Sequence, residues 1–209
     1  HGHFDHHGRI PKLIKEGFRG KVFMTTPTKG LIPFILEDAL HVMRDNAKRA
    51  GDKVLYSEKE LEILFDLCQG VNYHTEFQPI PGINCSFFNA GHILGSSFVK
   101  VQIPAHESSS EKGKVLVFSG DIGNDNIPIL PDTEEIGSAD IVLCESTYGD
   151  KDHSPIEKRS GELSRFISKI IDRKGTLVIP AFSIERTQEL LYEIDLLAEK
   201  NELPSVSVY

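Results

Sequence analysis

At 209 residues the chain is long enough to bury a real core, and its length fits one domain or a domain and a half. With 39% hydrophobic and 26% charged residues it has the composition of a soluble globular protein, and no apolar run approaches the ~18–20 residues that a membrane span requires. The net charge of −8 argues against a broadly basic surface, so phosphate would have to be held by local cations or by metals.

Along the chain, extended and helical segments alternate, which predicts an α/β (α+β) fold. After a histidine-rich opening, Ile10, Leu13 and Ile14 recur at helical spacing and Gly17 can end that helix. Residues 21–25 read as a strand, and 31–49 as an amphipathic helix that tolerates Pro33 only near its start. Ser57 and Glu60 have the spacing of a capping box, opening a helix to about Gln69. Four strands follow, at 83–89, 96–103, 114–118 and 140–144, with a polar loop at 106–113 and an irregular, proline-containing connection at 124–131. A second capping box, Ser154 to Glu157 with Pro155 at the first helical position, predicts a helix to about Asp172. A strand at 176–179, a helix at 184–200 and a last apolar strand complete the pattern. Cys68, Cys85 and Cys144 form no CxxC pair; their odd number and wide spacing predict reduced thiols, small core residues of a cytoplasmic protein.

The opening HGHFDHH places four metal-competent side chains, His1, His3, Asp5 and His6, within six residues. Alternate residues of an extended segment point to one side, so His1 and His3 can hold one ion, while Asp5 and His6, where the chain turns into a helix, can reach a second. Mixed imidazole and carboxylate donors suit zinc, with manganese or iron as alternatives. An expression-tag scar is the bland alternative, but Gly2, Phe4 and Asp5 interrupt the run and an amphipathic helix follows without a linker. Two further segments have one design, a polar side chain framed by glycines at the end of an apolar strand. They present His92 (NAGHILGS) and Asp121 (FSGDIGN), and a carboxylate such as Asp121 can bridge two cations. Two basic groups, Lys12, Lys15, Arg19 and Lys21, then Arg173 and Lys174, read as solvated faces.

Taken together, His1-x-His3-x-Asp5-His6, His92 and Asp121 resemble the metal-binding motifs of the metallo-β-lactamase superfamily. The segment Cys144-Glu145-Ser146-Thr147-Tyr148-Gly149, with His153 after it, and GTLVIPAFSIERTQELLYEI at 175–194 look like its β-CASP nucleases, in particular bacterial and archaeal relatives of the endonuclease that cleaves messenger RNA 3′ ends. The resemblance implies an αββα sandwich, incomplete here, over residues 1–153, and the start of a β-CASP domain over 154–209. It implies two zinc ions: His1, His3 and His92 on one, Asp5 and His6 on the other, and Asp121 bridging. Asp5, Asp121 and Glu145 become the catalytic candidates, with Asp5 orienting the attacking water and Glu145 holding a histidine acid. Glu145 also reads as a strand-end carboxylate capping a backbone amide, and His7 as a residue either supporting the ligands from behind or exposed.

The implied substrate is single-stranded RNA, cleaved in the cytoplasm. A DNA nuclease, a thioester or lactone hydrolase and a non-catalytic scaffold subunit are the alternatives. Oligomeric state stays open, a homodimer among the options, and no substrate-binding residue is identified. A ligand box at residue 1 and an end in mid-strand predict a piece of a longer chain, with two histidine motifs beyond it and weak hydrolysis at most from these residues alone.

Overall fold

The computed structural model describes residues 1–209 except 106–111, 153–154, 156–157 and 205. Most of the expected 106–113 loop, His153 and three of the four positions of the second capping box therefore lie outside the described residues. Two compact units are present, His1–Glu145 and Ser146–Tyr209, dividing at 145/146 where the sequence places a boundary at 153/154.

In the first unit, a one-turn helix α1 (Phe4–His7) precedes α2 (Ile10–Lys15), strand β1 (Val22–Thr25) and the long helix α3 (Thr26–Ala50). Helix α4 (Glu58–Leu67) leads directly into β2 (Cys68–Val71), which pairs in parallel with β1. Strands β3 (Phe77–Ile80), β4 (Ile83–Asn89), β5 (Ser97–Ile103), β6 (Lys114–Phe118) and β7 (Ile141–Leu143) form a five-stranded sheet in chain order. Its pairings are antiparallel up to β6, and β7 lies parallel to β6. The chain is thus mixed α/β, with both helices and a mixed sheet.

The core sits among α2, β1, α3, α4 and β2, where Ile14, Met24, Ile32, Leu36, Leu40, Tyr56, Leu61, Leu64 and Cys68 are buried together. Helix α3 contributes Thr28, Ile32, Leu36 and Leu40, a four-residue repeat that lines one face. It begins five residues earlier than expected, because Thr25 caps it by accepting the amide of Thr28 and Pro27 occupies its first turn. Pro33 is therefore inside the helix; the carbonyl it cannot pair with belongs to Lys29, an exposed residue whose backbone can turn to water. Helix α4 has the expected capping box but stops at Leu67, and Cys68 and Gln69 belong to β2.

Three further expectations fail. Cys68 and Cys85 are buried, with thiol pKa values pushed up by that burial, but Cys144 is exposed. In the second unit, α5 spans Arg159–Asp172, and the amide of Lys158 donates to the carbonyl of Pro155. Residues 176–179 and the last described residues form no strand. Val178 is 80% exposed, so an apolar run without a ladder partner stays irregular there. Helix α6 (Arg186–Glu199) packs against α5, with Ile167 and Leu197 buried, and Glu193 accepts from Arg159 at 2.6 Å and also bonds Ser160. Among the described residues no helix is long and apolar enough to cross a membrane.

Candidate metal centre

Strand register carries the candidate residues to one end of the five-stranded sheet. Asn89 pairs with Ser97, so the hairpin between β4 and β5 presents His92 there. Phe118 pairs with Val99 on one side and Leu143 on the other, so the segments holding Asp121 and Glu145 leave the sheet at the same end.

Four donor atoms converge. His1 Nε2 lies 3.0 Å from His3 Nδ1, and His92 Nε2 lies 3.3 Å from the same atom. Asp121 Oδ2 stands 3.6 Å from His1 Nε2 and 3.7 Å from His92 Nε2. All four residues offer a ligand atom within 4.8 Å of one another. Nitrogen and oxygen donors about 2.1 Å from a tetrahedral zinc are separated by ~3.4 Å, which is the middle of these distances. The donor set of three imidazoles and one carboxylate therefore fits a divalent cation in geometry and in chemistry.

The other oxygen of Asp121 meets a different histidine. Oδ1 lies 3.3 Å from His6 Nε2, which is itself 3.6 Å from Asp5 Oδ2. Asp5 is 79% exposed at its side chain, a carboxylate facing open solvent beside the cluster. Burial first, and then the neighbouring His92, lower the pKa of His3, favouring the neutral ring that coordination requires.

Hydrogen bonds between protein groups hold these loops. The amide of His92 donates to Ser96 Oγ, fully buried, and the amide of Gly123 donates to the carbonyl of Ala90 at 2.7 Å, drawing the Asp121 loop onto the His92 loop. Asn89 is clamped by the 131–134 segment: its amide donates to Glu134 Oε1, its side-chain nitrogen to the carbonyls of Pro131 and Asp132. Gly95 has a positive φ of 84°, and its carbonyl accepts from the hydroxyls of Thr25 and Thr28, tying the hairpin to the start of α3. None of Ser96, Asn89, Glu134, Thr25 or Thr28 is apparent from sequence as part of the site, since polar residues look alike until their hydrogen-bond partners are seen.

Glu145 receives the amide of Ile122 at 2.9 Å, while its own amide donates to Ser119 Oγ. The carboxylate therefore caps the residue next to Asp121. His7 is not exposed: it is 4% accessible, and its Nε2 lies 3.0 Å from the carbonyl of Gly2. In the basic stretch, Lys12 pairs with Glu16, Lys15 donates to the carbonyl of Leu55, and Arg19 donates to those of Ile14 and Phe18.

No family model matches the chain. Individual proteins do. It is 36% identical over its whole length to ribonuclease TTHA0252 of Thermus thermophilus and spans 44% of that protein. It is 31% identical, again over its whole length, to endoribonuclease YSH1 of Yarrowia lipolytica, of which it spans 24%. Over 96% of the chain it is 33% identical to RNase aCSPSF2 of Saccharolobus solfataricus, spanning 37% of it. The chain thus covers less than half the length of these relatives. With the histidine and aspartate motifs gathered as described, and with likeness to these ribonucleases over nearly the whole chain, the chain is similar to the β-CASP branch of the metallo-β-lactamase superfamily.

Proposed function

We propose that the protein hydrolyses phosphodiester bonds of single-stranded RNA at a centre of two zinc ions. The observation that carries this reading is the placement of Asp121, with Oδ2 facing His1 and His92 and Oδ1 facing His6. His1, His3 and His92 would hold one ion, Asp5 and His6 the other, with Asp121 shared. Bound there, such ions supply a water acidic enough to attack near neutral pH and neutralise charge on the phosphoryl oxygens. The exposed carboxylate of Asp5 would orient that water by accepting its hydrogen bond, and Glu145 would fix the loop that carries Asp121. The ribonuclease names of the relatives support RNA as the substrate of this chain as well. In the same reading, Ser146–Tyr209 begins the β-CASP domain, and the protein works in the cytoplasm.

Asp121→Ala tests the proposal directly. Bound zinc, measured by elemental analysis after gel filtration, and cleavage of an RNA oligonucleotide should both be lost. Full zinc content and full cleavage in that variant would overturn the assignment, and cleavage of the matching DNA at an equal rate would overturn the substrate.

A further inference from the structure

Among the buried polar groups of the first unit, His7 has no place in the metal chemistry described above, yet its surroundings are specific. We propose that His7 is a positioning residue that locks the peptide between the two histidines His1 and His3 and ties it to the helix bearing Asp5 and His6. The inference rests on the metal-centre reading and adds to it a residue that binds neither metal nor substrate.

Three observations carry it. First, a carbonyl oxygen can only accept, so the 3.0 Å contact between His7 Nε2 and the Gly2 oxygen makes Nε2 the protonated nitrogen. Second, the Nδ1 that remains is buried and has no hydrogen-bond partner among the described residues. A residue kept for packing alone would avoid that cost, since leucine fills a similar volume with no polar atom. Third, Gly2 is itself buried and is pressed from another side by α3, where an added Cβ would lie 3.3 Å from Ile35 Cδ1 and 3.5 Å from Leu31 Cδ1. The Gly2 peptide is therefore packed against α3 and hydrogen-bonded by α1. Its orientation sets the directions in which His1 and His3 leave the backbone, and so the 3.0 Å separation of their donor atoms. A group that orients ligands without touching the ion typically changes metal affinity by about 10–100-fold when removed.

The test is zinc affinity, measured by competition with a chromophoric chelator on the whole chain, for wild type, His7→Leu and His7→Gln. Leucine keeps the volume and removes the donor, whereas glutamine keeps an amide N–H that can reach the same carbonyl. His7→Leu should bind zinc about tenfold more weakly, and His7→Gln should recover most of the loss. Equal affinity of wild type and His7→Leu overturns the inference, as does a glutamine variant no better than leucine. Should His7→Leu fail to fold, the imidazole spectrum of the wild-type chain decides: long-range ¹⁵N–¹H correlations should show His7 protonated at Nε2, and protonation at Nδ1 overturns the inference. Wild type that takes up no zinc at all overturns the metal-centre reading and this inference with it, a result distinct from any difference among the variants.

Discussion

At the scale of single residues, contacts too close for any side chain separate the loops that make the site from ordinary surface loops. A Cβ on Gly123 would stand 1.8 Å from the carbonyl oxygen of Gly91, so the Asp121 and His92 loops touch through bare backbone. Gly123→Ala should push them apart and weaken zinc binding about tenfold or more, read by chelator competition, while far-UV circular dichroism stays that of the parent. Glu145 offers a sharper comparison, because its carboxylate accepts the Ile122 amide. Glu145→Gln keeps an acceptor, so its zinc affinity should stay near wild type, and Glu145→Ala should lower it; equal losses in the two variants would show that charge, rather than the hydrogen bond, matters there. The candidate ligands were legible in the sequence, since histidines and aspartates at these spacings have few other uses. Their supports were not. Ser119, in a loop, and Asn89, at the end of β4, are polar residues like many others, and only their burial, 3% and 8% exposed, reveals them.

Among elements, the helices were legible as periodic patterns and their boundaries less so. Helix α3 began early because Thr25 serves both as the end of β1 and as the cap of the helix, two roles that a linear reading assigns to separate residues. Strands β2 and β3 were missed for a related reason: Gln69-Gly70 and Gln78-Pro79 carry no alternating apolar pattern, and their strand state comes from partners β1 and β4. Leu36, fully buried on α3, is where that helix contributes most; Leu36→Ala should cost about 2–5 kcal/mol in urea denaturation. Between α5 and α6, burial pulls the Glu193 carboxyl upward, but hydrogen bonds from Ser160 and Arg159 outweigh it and its pKa falls below the usual 4.5. A depressed carboxylate pKa stabilises the fold above the unfolded value and loses that contribution as pH falls through the folded one. Acidification from pH 6 to below 4 should therefore loosen this helix pair. Thermal unfolding followed by circular dichroism should show a flatter acid limb in Glu193→Gln.

For the whole chain, net charge bears on how the proposed RNA substrate would be held. At −8 the chain repels a polyanion at long range, and the lysines and arginine of the 12–19 stretch are engaged by Glu16 and by backbone carbonyls. On the proposed function, the metal centre would then supply a large part of the phosphate attraction. Chelation should lower affinity for a single-stranded RNA oligonucleotide by about tenfold or more in fluorescence anisotropy at fixed salt, and undiminished binding would return the role to protein side chains.

The hydrogen bonds that join Gly123 to Ala90, Asn89 to residues 131–134 and Glu145 to Ile122 have a last consequence. They are made wholly between protein groups, so they predict loops that find their places without an ion. On the proposed function, the metal would be an exchangeable ligand of a frame already folded, unlike the small domains that collapse without their zinc. Its hold on stability then follows mass action, growing with the logarithm of free zinc above the dissociation constant. Stripped chain should keep its secondary structure, melt at a temperature that climbs steadily as zinc is restored, and regain the loaded state without refolding.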